Sequence, residues 1–338
     1  MTLMDMGTLF RALADDSRLR IMLLLQLMEL SVGELAQVLD QSQPRVSRHV
    51  RILAEAGLAE RHKEGSWVFL RPALPRRDHE AARLLDAFLR REDAVGEALA
   101  AQHASDRQQL QAIRSVRDAR AADFFAQHAG EWDAIRSLYL PEAEVEAALA
   151  AMIGERPLGR LLDIGTGTGR MIELFGPTAD HSTAIDRSPE MLRLARAKLQ
   201  HLQSGSVDLV RGDFYALPLA DAAADTILLH QVLHYAQNPQ AVLDEAGRVA
   251  APGARIAIVD FAPHALEELR ERDAHARLGF GDDTMAALLG HAGFALIDTR
   301  SLSGGTLTVK IWLGQHRGEP ARIQPHDQTH VTPRKAAA

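Results

Sequence analysis

Three glycines at alternate positions, Gly165, Gly167 and Gly169, follow an apolar run and an acid in the stretch "LLDIGTGTGRM". Glycine has no Cβ, so such a loop lets the backbone approach a ligand closely. Arg170 stands where a dinucleotide-binding Gly-x-Gly-x-x-Gly loop needs its third glycine, which weakens an NAD interpretation. The Gly-Lys-Ser/Thr sequence of a phosphate-transfer loop is absent, which excludes that class of site.

Two further acids stand where neighbouring strand-like runs end. Asp186 closes the run "TAID" and can accept hydrogen bonds from both hydroxyl groups of a ribose. Asp213 closes "VDLVRGD" and precedes Phe214, so a carboxylate can accept from an exocyclic amine while a ring covers a purine face. Together with Asp163, which precedes the glycines, these acids predict a site for an adenosine-bearing ligand.

Strand-like and helix-like runs alternate from residue 158 to residue 313, and these elements must position the acids. The alternation predicts a mostly parallel sheet with right-handed crossovers, with the ligand at the carboxyl ends of the strands. The last two strand-like runs, "FALIDTRSL" and "TLTVKIWLG", are joined by "SGG", which is short enough for a hairpin. The sheet should therefore contain one antiparallel strand.

The ordered set of motifs resembles the class I methyltransferases, which bind S-adenosylmethionine. The resemblance covers roughly residues 120–313 and rests on "LLDIGTGTG", "AIDRSPEMLRLAR", "GDFYALPLADAAADTILLHQVLHY" and "RVAAPGARIAIVDF". It implies S-adenosylmethionine or S-adenosylhomocysteine as the cofactor, with Asp186 at the ribose, Asp213 at the adenine and the glycine loop around the methionine moiety. The cofactor residues that it implies are Asp163, Gly165, Thr166, Gly167, Gly169, Asp186, Arg187, Met191, Asp213, Phe214 and His230.

Methyl transfer from a sulfonium is an in-line displacement that needs proximity, orientation and, for an acceptor protonated at rest, a base. His230, His234 and Tyr235 stand at a predicted strand end and are the candidate catalytic residues. The chain contains no cysteine, which argues against an arsenic acceptor held by thiolates and excludes thiolate metal sites. A histidine-carboxylate metal site stays open, but none of the 15 histidines shows convincing ligand spacing, so we expect no bound metal. The expected methyl acceptor is an unidentified small molecule.

The front of the chain predicts a helix-turn-helix followed by a hairpin wing. Ser31 and Glu34 have the spacing of a capping box, which starts one helix. A second helix begins near Pro44 and stops at Gly57. The stretch "LAERHKEGSWVFLRP" contains two strand-like runs and predicts the wing.

Arginines line one side of the second helix, opposite its apolar face, and guanidinium groups suit both phosphates and guanine edges. The first 72 residues also resemble the ArsR family of winged-helix repressors, especially in "LADDSRLRI" and "SRHVRILAEAGL". A homodimer on a palindromic operator in double-stranded DNA is the expected assembly. The predicted DNA-binding residues are Ser42, Gln43, Arg45, Ser47, Arg48, His49, Arg51 and Lys63.

Many metal-sensing members of that family carry a cysteine pair in the helix that here reads "LSVGELAQVL", where this chain has Val32 and Gly33. If the chain is a repressor, a ligand other than a soft metal must control DNA release. Two hypotheses stay open. The chain is either a transcription regulator whose methyltransferase domain acts as enzyme or cofactor sensor, or a small-molecule methyltransferase whose winged helix serves only dimerisation and substrate capping.

Length and composition fit two cores, since the chain has 338 residues, 46% of them hydrophobic, and a net charge of -7. It shows neither a signal peptide nor an apolar run that could span a bilayer, which predicts a cytoplasmic protein without a membrane partner. The predicted fold class is mixed, with an N-terminal winged helix-turn-helix, mainly α with a β wing, a helical linker, and a C-terminal α/β Rossmann-like domain. The predicted boundaries are 1–75 for the winged helix, 76–150 for helices that dimerise and cap the cofactor, 151–315 for the methyltransferase domain and 316–338 for a disordered tail. Trp132 and Tyr139 are expected over the cofactor.

Overall fold

The computed structural model describes residues 6–64, 67–73, 97–132, 141–202 and 206–318. Its N-terminal part contains four helices and a three-stranded antiparallel sheet in the order β1-β3-β2. These elements form the predicted helix-turn-helix and wing. Their bounds are α1 Met6–Leu13, α2 Asp16–Leu27, β1 Leu30–Ser31, α3 Val32–Leu39, α4 Gln43–Glu55, β2 Ala59–Glu64 and β3 Trp67–Pro72.

Local chemistry sets the helix limits in this part. The Ser31 hydroxyl accepts from the Glu34 backbone N–H, and the Glu34 carboxylate accepts from the Ser31 N–H, so the predicted capping box is present. Helix α4 has Pro44 in its first turn and ends two residues before Gly57, which has a φ of 67°. Its apolar face is buried, as at Val46 and Leu53, and this face completes the winged-helix core.

A single long helix, α5 (Glu97–His128), lies between the two folded parts. Leu110 is buried in the winged-helix core, and Ile113 packs against it. Farther along the same helix, Phe124 packs with Trp132 and with Met191 of the C-terminal domain. Residues 74–96 and 133–140, including Tyr139, lie outside the described residues, so the boundaries of the predicted linker stay predictions.

The C-terminal part is a seven-stranded sheet in the order β6-β5-β4-β7-β8-β10-β9. Strands β6, β5, β4, β7 and β8 pair in parallel, whereas β10 is antiparallel to both of its neighbours. The predicted fold class and its one antiparallel strand are therefore confirmed. The bounds are α6 Glu142–Ile153, β4 Arg160–Ile164, α7 Arg170–Phe175, β5 His181–Asp186, α8 Pro189–Lys198, β6 Val207–Arg211, β7 Ala224–His230, α9 Pro239–Val249, β8 Ala250–Phe261, α10 Glu268–Arg272, α11 Asp282–His291, β9 Phe294–Leu302 and β10 Val309–His316.

Helices cover both faces of this sheet. One apolar cluster joins the sheet to α9 and α11, with Val242 and Met285 fully buried, and the other joins it to α6 and α7, with Leu149 and Ile172 buried. Because the central strands are buried on both faces, their sequences are continuous apolar runs rather than alternating ones. The carboxyl ends of β4, β5, β6 and β7 lie together at one edge of the sheet, where they can form a site.

Candidate cofactor site and DNA-binding surface

A cavity of about 290 Å³ opens at the carboxyl ends of β4, β5, β6 and β7. Helix α5 covers it with Ala121, Ala122 and Phe125, and Trp132 adds to this cover as expected from its position. Ten of the eleven cofactor residues from the sequence line the cavity. They are Asp163, Gly165, Thr166, Gly167, Asp186, Arg187, Met191, Asp213, Phe214 and His230.

The first two glycines of the loop are needed because neighbouring side chains lie close to them. A Cβ on Gly165, which has a φ of 72°, would lie 2.4 Å from a methyl group of Val232. A Cβ on Gly167 would lie 3.2 Å from the indole nitrogen of Trp132. The backbone N–H groups of Gly165 and Thr166 both donate to the Ile185 carbonyl, at 2.8 and 2.9 Å, which ties the loop to β5.

Gly169 differs from the expectation because it does not line the cavity. It caps the start of α7 with a φ of 87°, and a Cβ there would lie 3.0 Å from Leu199 and 3.2 Å from Ala195. Its lack of a side chain therefore lets α7 pack against α8. The even spacing of the three glycines conceals this difference in role.

Asp186 connects the glycine loop to the next crossover. Its two carboxylate oxygens accept from the Gly167 and Ser188 backbone N–H groups, each at 2.8 Å. Burial raises the pKa of Asp186, and these backbone hydrogen bonds oppose the rise. The carboxylate also lines the cavity, where its oxygens are the acceptor type that vicinal hydroxyl groups need.

Asp213 and Phe214 form the opposite side of the cavity. The Asp213 carboxylate accepts from the Tyr215 backbone N–H at 2.9 Å, which holds the turn after β6. The rings of Phe214 and Tyr215 meet edge to face, with centroids 4.7 Å apart. An acid beside an aromatic surface matches the chemistry expected for a purine with an exocyclic amine.

Of the three candidate catalytic residues, His230 and Tyr235 line the cavity and His234 does not. His234 is buried, and its Nδ1 lies 2.9 Å from Oδ1 of Asp260. Its backbone N–H donates to the other oxygen of Asp260 at 3.1 Å. The expectation for His234 as a base facing the ligand is therefore corrected, because this ring is turned toward Asp260 and holds the segment after β7.

Several cavity residues were missed in the sequence. Phe125 comes from the distant helix α5, so no local motif indicates it. Gln231 has a φ of 54° and donates its N–H to the Val259 carbonyl at 2.7 Å, a conformation that sequence does not reveal. Ser188, which caps α8 and directly follows "AIDR", could have been found from its capping position.

The predicted DNA-binding residues are exposed on α4 and at its start, with two exceptions. His49 is buried, its Nδ1 lies 3.6 Å from Asp15, and burial lowers its pKa. The side chain of Lys63 lies outside the described residues. The six residues that share the exposed surface are Ser42, Gln43, Arg45, Ser47, Arg48 and Arg51.

Within the described ranges, no group of three or more His, Asp or Glu side chains could hold a metal ion. In the same part of the chain, no helix is both long enough and apolar enough to cross a membrane.

The N-terminal fold matches a known regulatory family. A model of the arsR family of bacterial regulatory proteins matches residues 15–61. The arsenical resistance operon repressor of Escherichia coli (strain K12) is 45% identical over 94 residues, which cover 27% of this chain and 78% of the repressor. The chain belongs to the ArsR family. In this ArsR-family protein the exposed arginines of α4 thus lie in a DNA-binding domain.

A methyltransferase domain model matches residues 162–258 of the ArsR-family chain. The demethylmenaquinone methyltransferase of Tropheryma whipplei (strain Twist) is 34% identical over 124 residues, or 37% of this chain and 51% of that protein. The chain therefore matches only about half the length of this relative. A solved complex of the Haloferax volcanii Trm112 methyltransferase activator with a methyltransferase shares the fold, with a TM-score of 0.51, 18% identity, and coverage of 59% of this chain and 98% of the matched chain.

The cavity fits the ligand of a methyltransferase domain. The glycine loop leaves no room for a Cβ at Gly165, Asp186 offers two acceptor oxygens, and Asp213 stands beside Phe214. Together with the domain match, these features support S-adenosylmethionine or S-adenosylhomocysteine as the cofactor of the ArsR-family protein.

Proposed function

We propose that this protein is a homodimeric transcription regulator that reads a palindromic operator, and that a ligand in its methyltransferase domain changes its affinity for DNA. The observation that carries the proposal is the double role of α5. Leu110 of this helix lies in the winged-helix core, and Phe125 lies on the cofactor cavity. Because α5 contacts both sites, a ligand that favours one position of α5 would also favour one conformation of the winged helix over another. Coupling between two sites requires such a difference in ligand affinity between conformations.

Each part of the cavity has a role toward S-adenosylmethionine. The Gly165–Gly167 loop borders the methionine moiety, Asp186 accepts from the ribose, and Asp213 with Phe214 holds the adenine. The cofactor supplies a methyl group on a sulfonium, which an acceptor takes by in-line displacement. His230 and Tyr235 line the same cavity. A neutral His230 imidazole can take a proton from an unidentified small-molecule acceptor that is protonated at rest, and the Tyr235 hydroxyl can hold that acceptor by a hydrogen bond.

The winged helix supplies the operator contacts. Arg45, Arg48 and Arg51 project from the exposed side of α4 and suit guanine edges and phosphates in a major groove. Ser42 and Gln43 at the start of the helix suit phosphate oxygens. A two-fold dimer presents two such helices to the two halves of a palindrome.

Fluorescence anisotropy with the chain's own upstream DNA tests the proposal, with and without S-adenosylmethionine or S-adenosylhomocysteine. Arg45→Ala with Arg48→Ala should weaken DNA binding and reduce its salt slope by about 2, because each arginine that binds a phosphate contributes about 1 to that slope. Arg193→Ala with Arg196→Ala removes the same charge from exposed positions on α8 and is the matched control.

Unchanged affinity and slope in the α4 variant, or no effect of either ligand on DNA binding, would contradict the proposal. Absence of DNA binding, combined with methyl transfer to a small molecule, would support the alternative in which the winged helix only dimerises and caps the substrate.

A further inference from the structure

Three aromatic rings form one wall of the cofactor cavity, and we call them the aromatic wall. Phe125 comes from α5, Trp132 follows that helix, and Tyr235 lies in the segment after β7. The Phe125 centroid is 5.3 Å from that of Trp132 and 4.8 Å from that of Tyr235, and the last two are 6.3 Å apart. Because Trp132 also borders Gly167, the wall stands against the glycine loop.

Carboxylates outnumber guanidinium groups on the rest of the cavity lining. A π face attracts a cation, and the attraction grows when both are withdrawn from water. Acids and aromatic faces together therefore favour a positively charged ligand over a neutral one of the same shape. The acids are Asp163, Asp186, Glu190 and Asp213, and the guanidinium groups are Arg187 and Arg211.

The aromatic wall is also attached to the winged helix by α5, which carries Phe125. Asp106 of this helix is fully buried and accepts two hydrogen bonds from Arg20 of α2, each of 2.7 Å. One turn before the cavity, Arg117 pairs with Glu34 of α3. These ion pairs hold the middle of α5 on the DNA-binding domain.

A second attachment runs through the segment that contains Tyr235. Arg117 also donates to the side chain of Gln237, two residues beyond Tyr235. The next residue, Asn238, donates its Nδ2–H to the Leu27 carbonyl at the end of α2, at 3.0 Å. Both sides of the aromatic wall are therefore hydrogen-bonded to the winged helix, one through α5 and the other through the segment after β7.

We propose that the aromatic wall selects the positively charged sulfonium ligand over the neutral thioether, and that closure of α5 on the cavity transmits this difference to the winged helix. The inference rests on the proposed function, because it takes S-adenosylmethionine and S-adenosylhomocysteine as ligands of this cavity. When the methyl group leaves, the sulfonium becomes an uncharged thioether. The aromatic wall thus distinguishes S-adenosylmethionine from S-adenosylhomocysteine by the positive charge on sulfur.

Isothermal titration calorimetry on the full-length chain tests the selectivity. The probes are S-adenosylmethionine, S-adenosylhomocysteine and sinefungin, in which an amine-bearing carbon replaces the methylated sulfur and keeps a positive charge. We expect the two charged ligands to bind about tenfold more tightly than the thioether. Phe125→Leu with Trp132→Leu should bring the affinities to within about twofold of each other.

Two further variants separate charge recognition from packing. Phe125→Tyr keeps the π face and should keep the preference. Phe10→Leu makes the same change at an exposed position on α1, away from the cavity, and should also keep it. If the double variant fails to fold, Phe125→Leu alone should lower the preference about threefold.

Amide hydrogen exchange tests transmission along α5. At saturation, S-adenosylmethionine should slow exchange over residues 106–125 more than S-adenosylhomocysteine does. Equal affinities in the parent chain, a preference that survives loss of both rings, or equal protection of α5 would each overturn the inference. The proposed function fails differently, through absence of ligand binding or of ligand-dependent DNA binding.

Discussion

The ion pair between Arg20 and Asp106 fixes α5 on the winged helix, and its removal measures how strongly the two are joined. Asp106 is fully buried and accepts two 2.7 Å hydrogen bonds from Arg20 and one of 3.3 Å from Gln102. Asp106→Ala leaves the Arg20 guanidinium, in a side chain that is 12% exposed, without its counter-charge. Loss of one partner of a buried pair costs about 3–5 kcal/mol. Since Arg20 keeps some access to water, we expect about 3 kcal/mol.

Urea unfolding followed by circular dichroism and by tryptophan fluorescence is the assay. A loss of about 3 kcal/mol corresponds to a midpoint about 1–3 M lower, because m-values are about 1–3 kcal/mol per molar urea. The free energy of unfolding is taken only from a transition on which both probes agree. This condition is needed because a chain with two cores need not unfold in a single two-state transition.

Two variants sharpen the result. Arg20→Met with Asp106→Leu removes both charges and keeps the volume, so its stability should lie within about 1 kcal/mol of the parent. Asp123→Ala removes an exposed acid from the same helix and should change stability by no more than about 0.5 kcal/mol. A loss below about 1 kcal/mol in Asp106→Ala, or an equal loss in the paired Met and Leu variant, would refute the assignment of this pair as the anchor of α5.

Three other predictions concern the cofactor site and its surroundings. Asp186→Ala should raise the Kd of S-adenosylmethionine at least about 100-fold in calorimetry, because two charge-assisted hydrogen bonds to the ligand are lost. Asp180→Ala changes an exposed acid just before the same strand and should leave the Kd unchanged. Unaltered binding in Asp186→Ala would remove Asp186 from the site. Gly165→Ala should destabilise the fold by about 2–3 kcal/mol in thermal or urea unfolding, because its Cβ would lie 2.4 Å from Val232 at a φ of 72°, and adding Val232→Ala should restore the steric part. Burial and neighbouring cationic groups lower the pKa of His275 well below its ordinary value. Below about pH 6.5 the unfolded chain therefore takes up a proton at His275 that the folded chain does not. The free energy of unfolding should then fall by up to about 1.4 kcal/mol for each pH unit of acidification. His275→Gln should flatten that slope between pH 7.5 and pH 5.5, and an unchanged slope would assign it to other groups.

The sequence predicted the features that local chemistry determines. The capping box at Ser31 depends on residues three positions apart. The positions of Gly165 and Asp186 on the cavity follow from their place directly after neighbouring strands. Parallel strands bring their carboxyl ends to one edge, so Asp163, Asp186 and Asp213 could be placed together from the sequence alone.

Some side-chain positions could have been inferred and others could not. His49 lies three residues after Val46 and four before Leu53, so helical spacing places it on the buried face of α4 despite its polar character. His234 pairs with Asp260, 26 residues away on the next strand, and Phe125 reaches the cavity only because α5 folds back over it. Such pairings depend on tertiary packing and have no signature in the local sequence.

The shared helix α5 has a consequence for dissecting this protein into fragments. At 1.5 Å per residue its 32 residues extend about 48 Å. The helix belongs to both halves, because it contributes Leu110 to the winged-helix core and Phe125 to the cavity. A winged-helix fragment cut at residue 75 would lack Leu110, which is 2% exposed in the intact chain, and would leave Arg20 without Asp106. A fragment that begins at residue 151 would lose Phe125 and Trp132 from its cavity. Each separated half would expose an apolar surface that α5 covers in the intact chain. Measurements on the isolated halves would therefore underestimate both DNA affinity and ligand affinity. Helix α5 should be included in either fragment.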